Sequence, residues 1–134
     1  MATWNDVKLW MTSQNIVFTD FGDYIDANFT YVGKDRSQWV RLSHNIIDDG
    51  TDTVALISGV APYDPLKTEA LLLAAFSGVG GLAIQETSDG GRYFVLQTTV
   101  PLADLDSSEL SFHIKIIGIR ADFLEAEIFR VDRM

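Results

Sequence analysis

SELSFHIKIIGIRADFLEAEIF, residues 108–129, supports two readings that predict different molecules. From Leu110 to Ile116 the apolar residues fall on every second position, with Ser111, His113 and Lys115 between them, which is the pattern of a half-buried strand. Over the whole stretch the spacing instead fits a helix. Asp106-Ser107-Ser108-Glu109 places a capping residue three positions before a glutamate, and strict alternation fails at Ile117. At about 100° per residue, Leu110, Ile114, Ile117, Ala121, Leu124 and Ile128 form one stripe. Phe112, Ile116, Ile119 and Phe123 form a second, nearly opposite. Two opposed stripes occupy alternate positions locally, so the start of the helix imitates a strand. One sheet cannot cover both stripes. The first helix of the chain, a second subunit or a client protein must meet the second stripe.

The remaining elements follow from periodicity and punctuation. Val7, Trp10 and Met11 recur at helical spacing from Trp4 to about Gln14, with Thr3 or Asn5 as cap. Residues 26–32 and 38–46 alternate as strands around the polar turn 33–37, and TVALISGV (residues 53–60) reads as a third strand. After Pro62 and Pro65, LKTEALLLAAF (residues 66–76) is a helix, apolar on nearly all sides and ended by Ser77-Gly78-Val79-Gly80-Gly81. LAIQET and RYFVLQTTV then flank Ser88-Asp89-Gly90-Gly91, which suits a tight hairpin turn. The expected fold is α+β, an antiparallel five-stranded sheet with three helices in the order α-β-β-β-α-β-β-α, as a single domain over residues 1–134.

Composition narrows the function classes. The 134 residues carry a formal net charge of −9, 47% hydrophobic residues and no cysteine. A negative field disfavours phosphate backbones and anionic lipid, so neither nucleic acid nor a membrane surface is an expected partner. The start MATWNDVKLW lacks the basic-then-apolar pattern of a secretory signal, and no apolar run approaches roughly 18 residues. A cytoplasmic location is the expectation.

Signals for chemistry are weak. His44 and His113 have no neighbouring pattern for a metal or a nucleophile, so no metal and no cofactor are expected. Asp48, Asp49 and Asp52 crowd one turn without the spacing of a calcium loop, and read as a solvated acidic turn. Gly78, Gly80 and Gly81 lack the lysine and hydroxyl residue of a phosphate loop and lead into a strand. Asn28-Phe29-Thr30 matches a glycosylation acceptor but lies within a predicted strand.

Strand alternation assigns the two sheet faces. Phe29, Tyr31, Val40, Leu42, Val54, Leu56, Phe94 and Leu96 are expected to face the helices, leaving Trp39, Arg41, Ala55, Ile57, Tyr93 and Val95 on the other side. Of these, Trp39, Arg41, Ile57, Tyr93 and Val95 form a candidate protein-binding face, unless the first helix covers it. Phe112, Ile116, Ile119 and Phe123 form a candidate dimer or client contact.

The order of elements over nearly the whole chain, with ALLLAAFSG, RYFVLQTTVPLADLDSSEL and ELSFHIKIIGIRADFLEAEI, resembles the type III secretion chaperone-like fold and within it the YbjN-type domains. That resemblance implies a small chaperone-like α+β domain, dimeric, non-enzymatic, binding a client protein or peptide. A regulatory scaffolding dimer and a small-molecule enzyme are the alternatives. Copurification of a defined partner would favour the first reading, and a polar cleft the last.

Overall fold

The opening stretch is helical as far as it is described: Ser107–Ile128 is one α-helix of 22 residues in the computed structural model, which describes residues 2–30, 37–75 and 80–128. The chain runs α1 (Trp4–Ser13), β1 (Phe18–Asp20), β2 (Tyr24–Thr30), β3 (Ser37–Ile46), β4 (Asp52–Pro62), a 3-10 turn (Pro65–Lys67), α2 (Thr68–Ala75), β5 (Gly81–Glu86), β6 (Arg92–Pro101) and α3 (Ser107–Ile128). The strands form one antiparallel sheet in the order β1-β2-β3-β4-β6-β5. The α+β class and the three helices agree with the sequence reading. The expected five strands are corrected to six, in the order α-β-β-β-β-α-β-β-α. The additional strand, β1, spans three residues, too few to show alternation, and is specified by ladder pairing of Phe18 with Ala27 and Asp20 with Ile25. Gly22, at φ +95°, makes the turn between β1 and a β2 that begins at Tyr24, two residues before its predicted start. The predicted turn residues 33–36, the core position Tyr31 and the helix end 76–79 lie outside the described residues, and nothing is described of the Phe29 side chain.

Local chemistry sets the helix starts. Thr3 and Asp6 form a reciprocal capping box on α1, the Asp6 amide donating to Thr3 Oγ1 at 3.2 Å and the Thr3 amide to Asp6 Oδ2 at 2.9 Å. Asp106 Oδ1 accepts the Glu109 amide at 2.8 Å, so the predicted cap opens α3. The hairpin turn between β5 and β6 has Gly90 at φ +87° and the Thr87 amide bonded to the Gly91 carbonyl.

All three helices contribute to a core on one face of the sheet. Leu110, Ile114, Ile117, Ala121 and Leu124 of α3 are buried together with Val7 and Met11 of α1, Leu71 of α2, and Ile25, Val40, Leu42, Val54, Leu56, Phe94 and Leu96 of the sheet. The first stripe of α3 is therefore the central seam of the core. Where β4 bulges between Gly59 and Ala61, the ladder is broken and Val60 turns into the core. Gln38 compensates for the break. Its side-chain amide donates to the Gly59 carbonyl at 2.9 Å and to Ser58 Oγ at 2.7 Å, while Ser58 donates to the Trp39 carbonyl at 2.7 Å. This network satisfies polar groups that would otherwise be buried without partners.

Candidate functional site

Antiparallel register carries Tyr24, Asp26 and Asn28 of β2 opposite Ser43, Arg41 and Trp39 of β3, on the sheet face turned away from the helices. Arg41 is pinned there. Its Nε and Nη2 donate to the two carboxylate oxygens of Asp26 at 2.8 and 3.1 Å, a bidentate pair that raises the Arg41 pKa further above its ordinary value. The guanidinium carbon lies 4.5 Å from the Tyr24 ring centroid and 5.1 Å from that of Trp39. Phe21 stacks on Tyr24 at 4.8 Å. An aromatic and cationic row thus crosses one end of this face, with every member held by a neighbour.

The same register continues through Ala55, Ile57 and Gly59 of β4 to Tyr93, Val95, Gln97 and Thr99 of β6. Trp39, Arg41 and Ile57 are half-buried, Tyr93 is exposed and Val95 is buried. All five predicted binding residues therefore share one face. The first helix does not cover it, because Val7 and Met11 of α1 belong to the helix-side core. Tyr24, Asp26 and Phe21 were missed by the sequence reading. Beginning β2 at residue 26 hid the alternation Tyr24-Asp26-Asn28, which would have placed the first two beside Arg41.

The second stripe of α3 lies on the opposite side of the molecule. Phe112 is 58%, Ile119 46% and Phe123 43% exposed, and Ile116 is half-buried. No described part of the chain covers this stripe, since α1 and α2 both contribute to the sheet-side core. Along its flank the Arg120 guanidinium sits 5.0 Å from the Phe123 ring, and Phe112 meets His113 edge-on at 5.8 Å. Arg120 Nε and His113 Nδ1 are enclosed without a hydrogen-bond partner. A cleft of about 400 Å³ lined by Gln14, Ser107, Ser111, Phe112 and Lys115 opens between the end of α1 and the start of α3. The sheet separates the two candidate surfaces, so they cannot form one continuous site.

A third apolar surface belongs to the second helix, which the sequence marks as apolar on nearly all sides. Among the described residues of α2, Leu71 is buried in the core and Ala74 packs against it, while Leu72 and Leu73 are exposed, as is Ile84 on the edge strand β5.

Among the described residues, no group of three or more His, Asp or Glu side chains is placed to hold a metal ion. Four carboxyls lie below their ordinary range, each as an acceptor in a turn or cap. Asp20 is lowered first by the Gly22 amide, Asp49 by Thr51, Asp89 by Thr87 and Asp106 by the Glu109 amide. Glu109 moves the other way, raised by its hydrogen bond with Asp106 and then by that group's charge. Asp49 and Thr51 thus account for the acidic turn as a folded turn. His44 bridges elements: its ring stacks on Trp4 at 5.6 Å and its Nε2 lies 3.0 Å from Asp52 Oδ1. Among the described residues, no helix is long and apolar enough to cross a membrane.

No family model matches the chain, and no curated protein matches it by sequence. Its fold does match solved structures. YbjN from E. coli, a candidate transcription regulator, superposes with a TM-score of 0.63 at 9% identity, over 97% of this chain and 93% of that one. A chain of the HopA1–SchA chaperone–effector complex superposes with a TM-score of 0.54 at 16% identity, over 89% of each chain. With the six-stranded sheet and its one-sided helix layer, these matches show that the chain has the fold found in YbjN and in that chaperone–effector complex.

Proposed function

We propose that this chain is a non-enzymatic, chaperone-like module, one domain over residues 1–134, that binds a protein or peptide client in the cytoplasm and works as a homodimer. The observation that carries the reading is the helix-free sheet face. Tyr24, Arg41 and Trp39 are stacked in place beside Ile57, with Tyr93 farther along the same face, offering partly apolar, aromatic surface whose ordering cost is already met within the chain. The match to a chain of a chaperone–effector complex supports a protein partner. A net charge of −9 argues against nucleic acid and favours a client with basic residues.

The test is affinity isolation of partners from the protein's own cytoplasm, with Ile57→Asp and Arg41→Glu variants as controls, followed by calorimetric titration of the purified partner. A partner that binds the native chain, fails to bind both folded variants and protects Trp39, Arg41 and Tyr93 from hydrogen exchange or labelling supports the proposal. Binding that ignores both substitutions overturns this assignment of the face.

A further inference from the structure

The exposed stripe of α3 is palindromic. Phe112, Ile116, Ile119 and Phe123 are spaced four, three and four residues apart, so both composition and spacing read the same from either end, about a midpoint between Ile117 and Gly118. The buried stripe has symmetric spacing but not symmetric composition. From this the geometry points to a second copy of this chain as the occupant, its α3 lying antiparallel across the first on a two-fold axis at that midpoint. Phe112 of each copy then packs against Phe123 of the other, and Ile116 against Ile119, in the alternating layers of a short coiled-coil seam.

Charge selects the antiparallel orientation. Lys115 and Asp122 lie on one flank of the stripe, Arg120 and Glu127 on the other. A parallel pair brings each flank against the opposite one, setting Lys115 near Arg120 and Asp122 near Glu127 of the second copy, two like-charge contacts. An antiparallel pair brings each flank against its own kind, and Lys115 then meets Asp122 of the second copy, about 3 Å apart in level along the axis. Glu109 approaches Glu127 of the second copy at the exposed ends of the seam, a repulsion that salt screens. The four apolar residues span about 16 Å of helix, less surface than a standard stable interface buries, so the dimer should dissociate on dilution.

This inference rests on the homodimer proposed above and assigns its surface. Sedimentation of the native chain is expected to show a monomer–dimer equilibrium that Ile119→Glu and Phe112→Glu, each folded by circular dichroism, shift at least tenfold toward monomer. Because the chain has no cysteine, orientation can be read directly. A mixture of Lys115→Cys and Asp122→Cys chains should cross-link with a short bismaleimide faster than either variant alone. A native dimer that both glutamate variants leave intact overturns the α3 seam while leaving the dimer itself standing. Cross-linking fastest within one variant overturns the antiparallel arrangement. A native chain that stays monomeric at all concentrations overturns both the seam and the homodimer.

Discussion

Ile117 and Ile119 are two residues apart in one helix and should answer the same substitution oppositely. Ile117 is fully buried in the seam between α3 and the sheet, whereas Ile119 is 46% exposed. Replacing Ile117 with glutamate removes a buried side chain worth about 1.5–3 kcal/mol. The new carboxyl must also be neutral to stay inside. Protonating it at pH 7, starting from an ordinary pKa of about 4.3, costs about 4 kcal/mol. Together these reach about 6 kcal/mol, against roughly 7–20 kcal/mol of total stability for a chain of this length. The Ile117→Glu protein should therefore be marginal or unfolded at neutral pH. Its buried carboxyl has a folded pKa above the unfolded one, so the penalty is smallest in acid and grows as pH rises. Between pH 5 and 7, urea denaturation should show the gap to the native protein widening by about 1.4 kcal/mol per pH unit. Ile117→Ala, costing about 2–5 kcal/mol, supplies a folded variant without that pH dependence. Ile119→Glu should stay within about 1 kcal/mol of the native chain, measured at a concentration low enough for monomer. Equal losses at the two positions, or a pH-independent Ile117→Glu penalty, would refute the assignment of core and surface stripes.

Gly80→Ala should destabilise by more than about 1 kcal/mol in urea denaturation, because Gly80 sits at φ +86° and an added Cβ would lie 2.8 Å from Ile117 Cδ1 and 2.9 Å from the Gln97 carbonyl. Gln38→Leu leaves the Gly59 carbonyl without its side-chain donor and should cost about 1–3 kcal/mol, with β3 and β4 amides beside the bulge losing hydrogen-exchange protection first. Asp106→Asn should retain most of the thermal stability that Asp106→Ala loses. Since the folded pKa of Asp106 is depressed, its contribution is present above the ordinary carboxyl range and lost as pH falls through the folded value, so the gap between the native chain and the alanine variant should close in strong acid. Titration into fluorescent DNA and RNA at physiological salt should show no binding; salt-sensitive micromolar binding would contradict the charge argument.

Local signals in the sequence determined the helices and most strands. The cap at Asp106, the two stripes of residues 107–128 and the turn at Asp89-Gly90 are encoded within a few residues of where they act, and they specify the α+β class and the face of α3 that enters the core. Alternation likewise determined that Trp39, Arg41, Ile57, Tyr93 and Val95 share a sheet face, because a period of two leaves no other choice once the register is known. Tertiary structure alone decided the rest. β1 exists because three residues of backbone found partners in β2, a long-range pairing that carries no local pattern. Packing α1 and α2 beside α3 on one face determined that no described helix covers the other face or the Phe112–Phe123 stripe. Sequence showed that one helix had two apolar sides, but which neighbour would cover the second depends on where the other helices run, and that is set by the core they fill together.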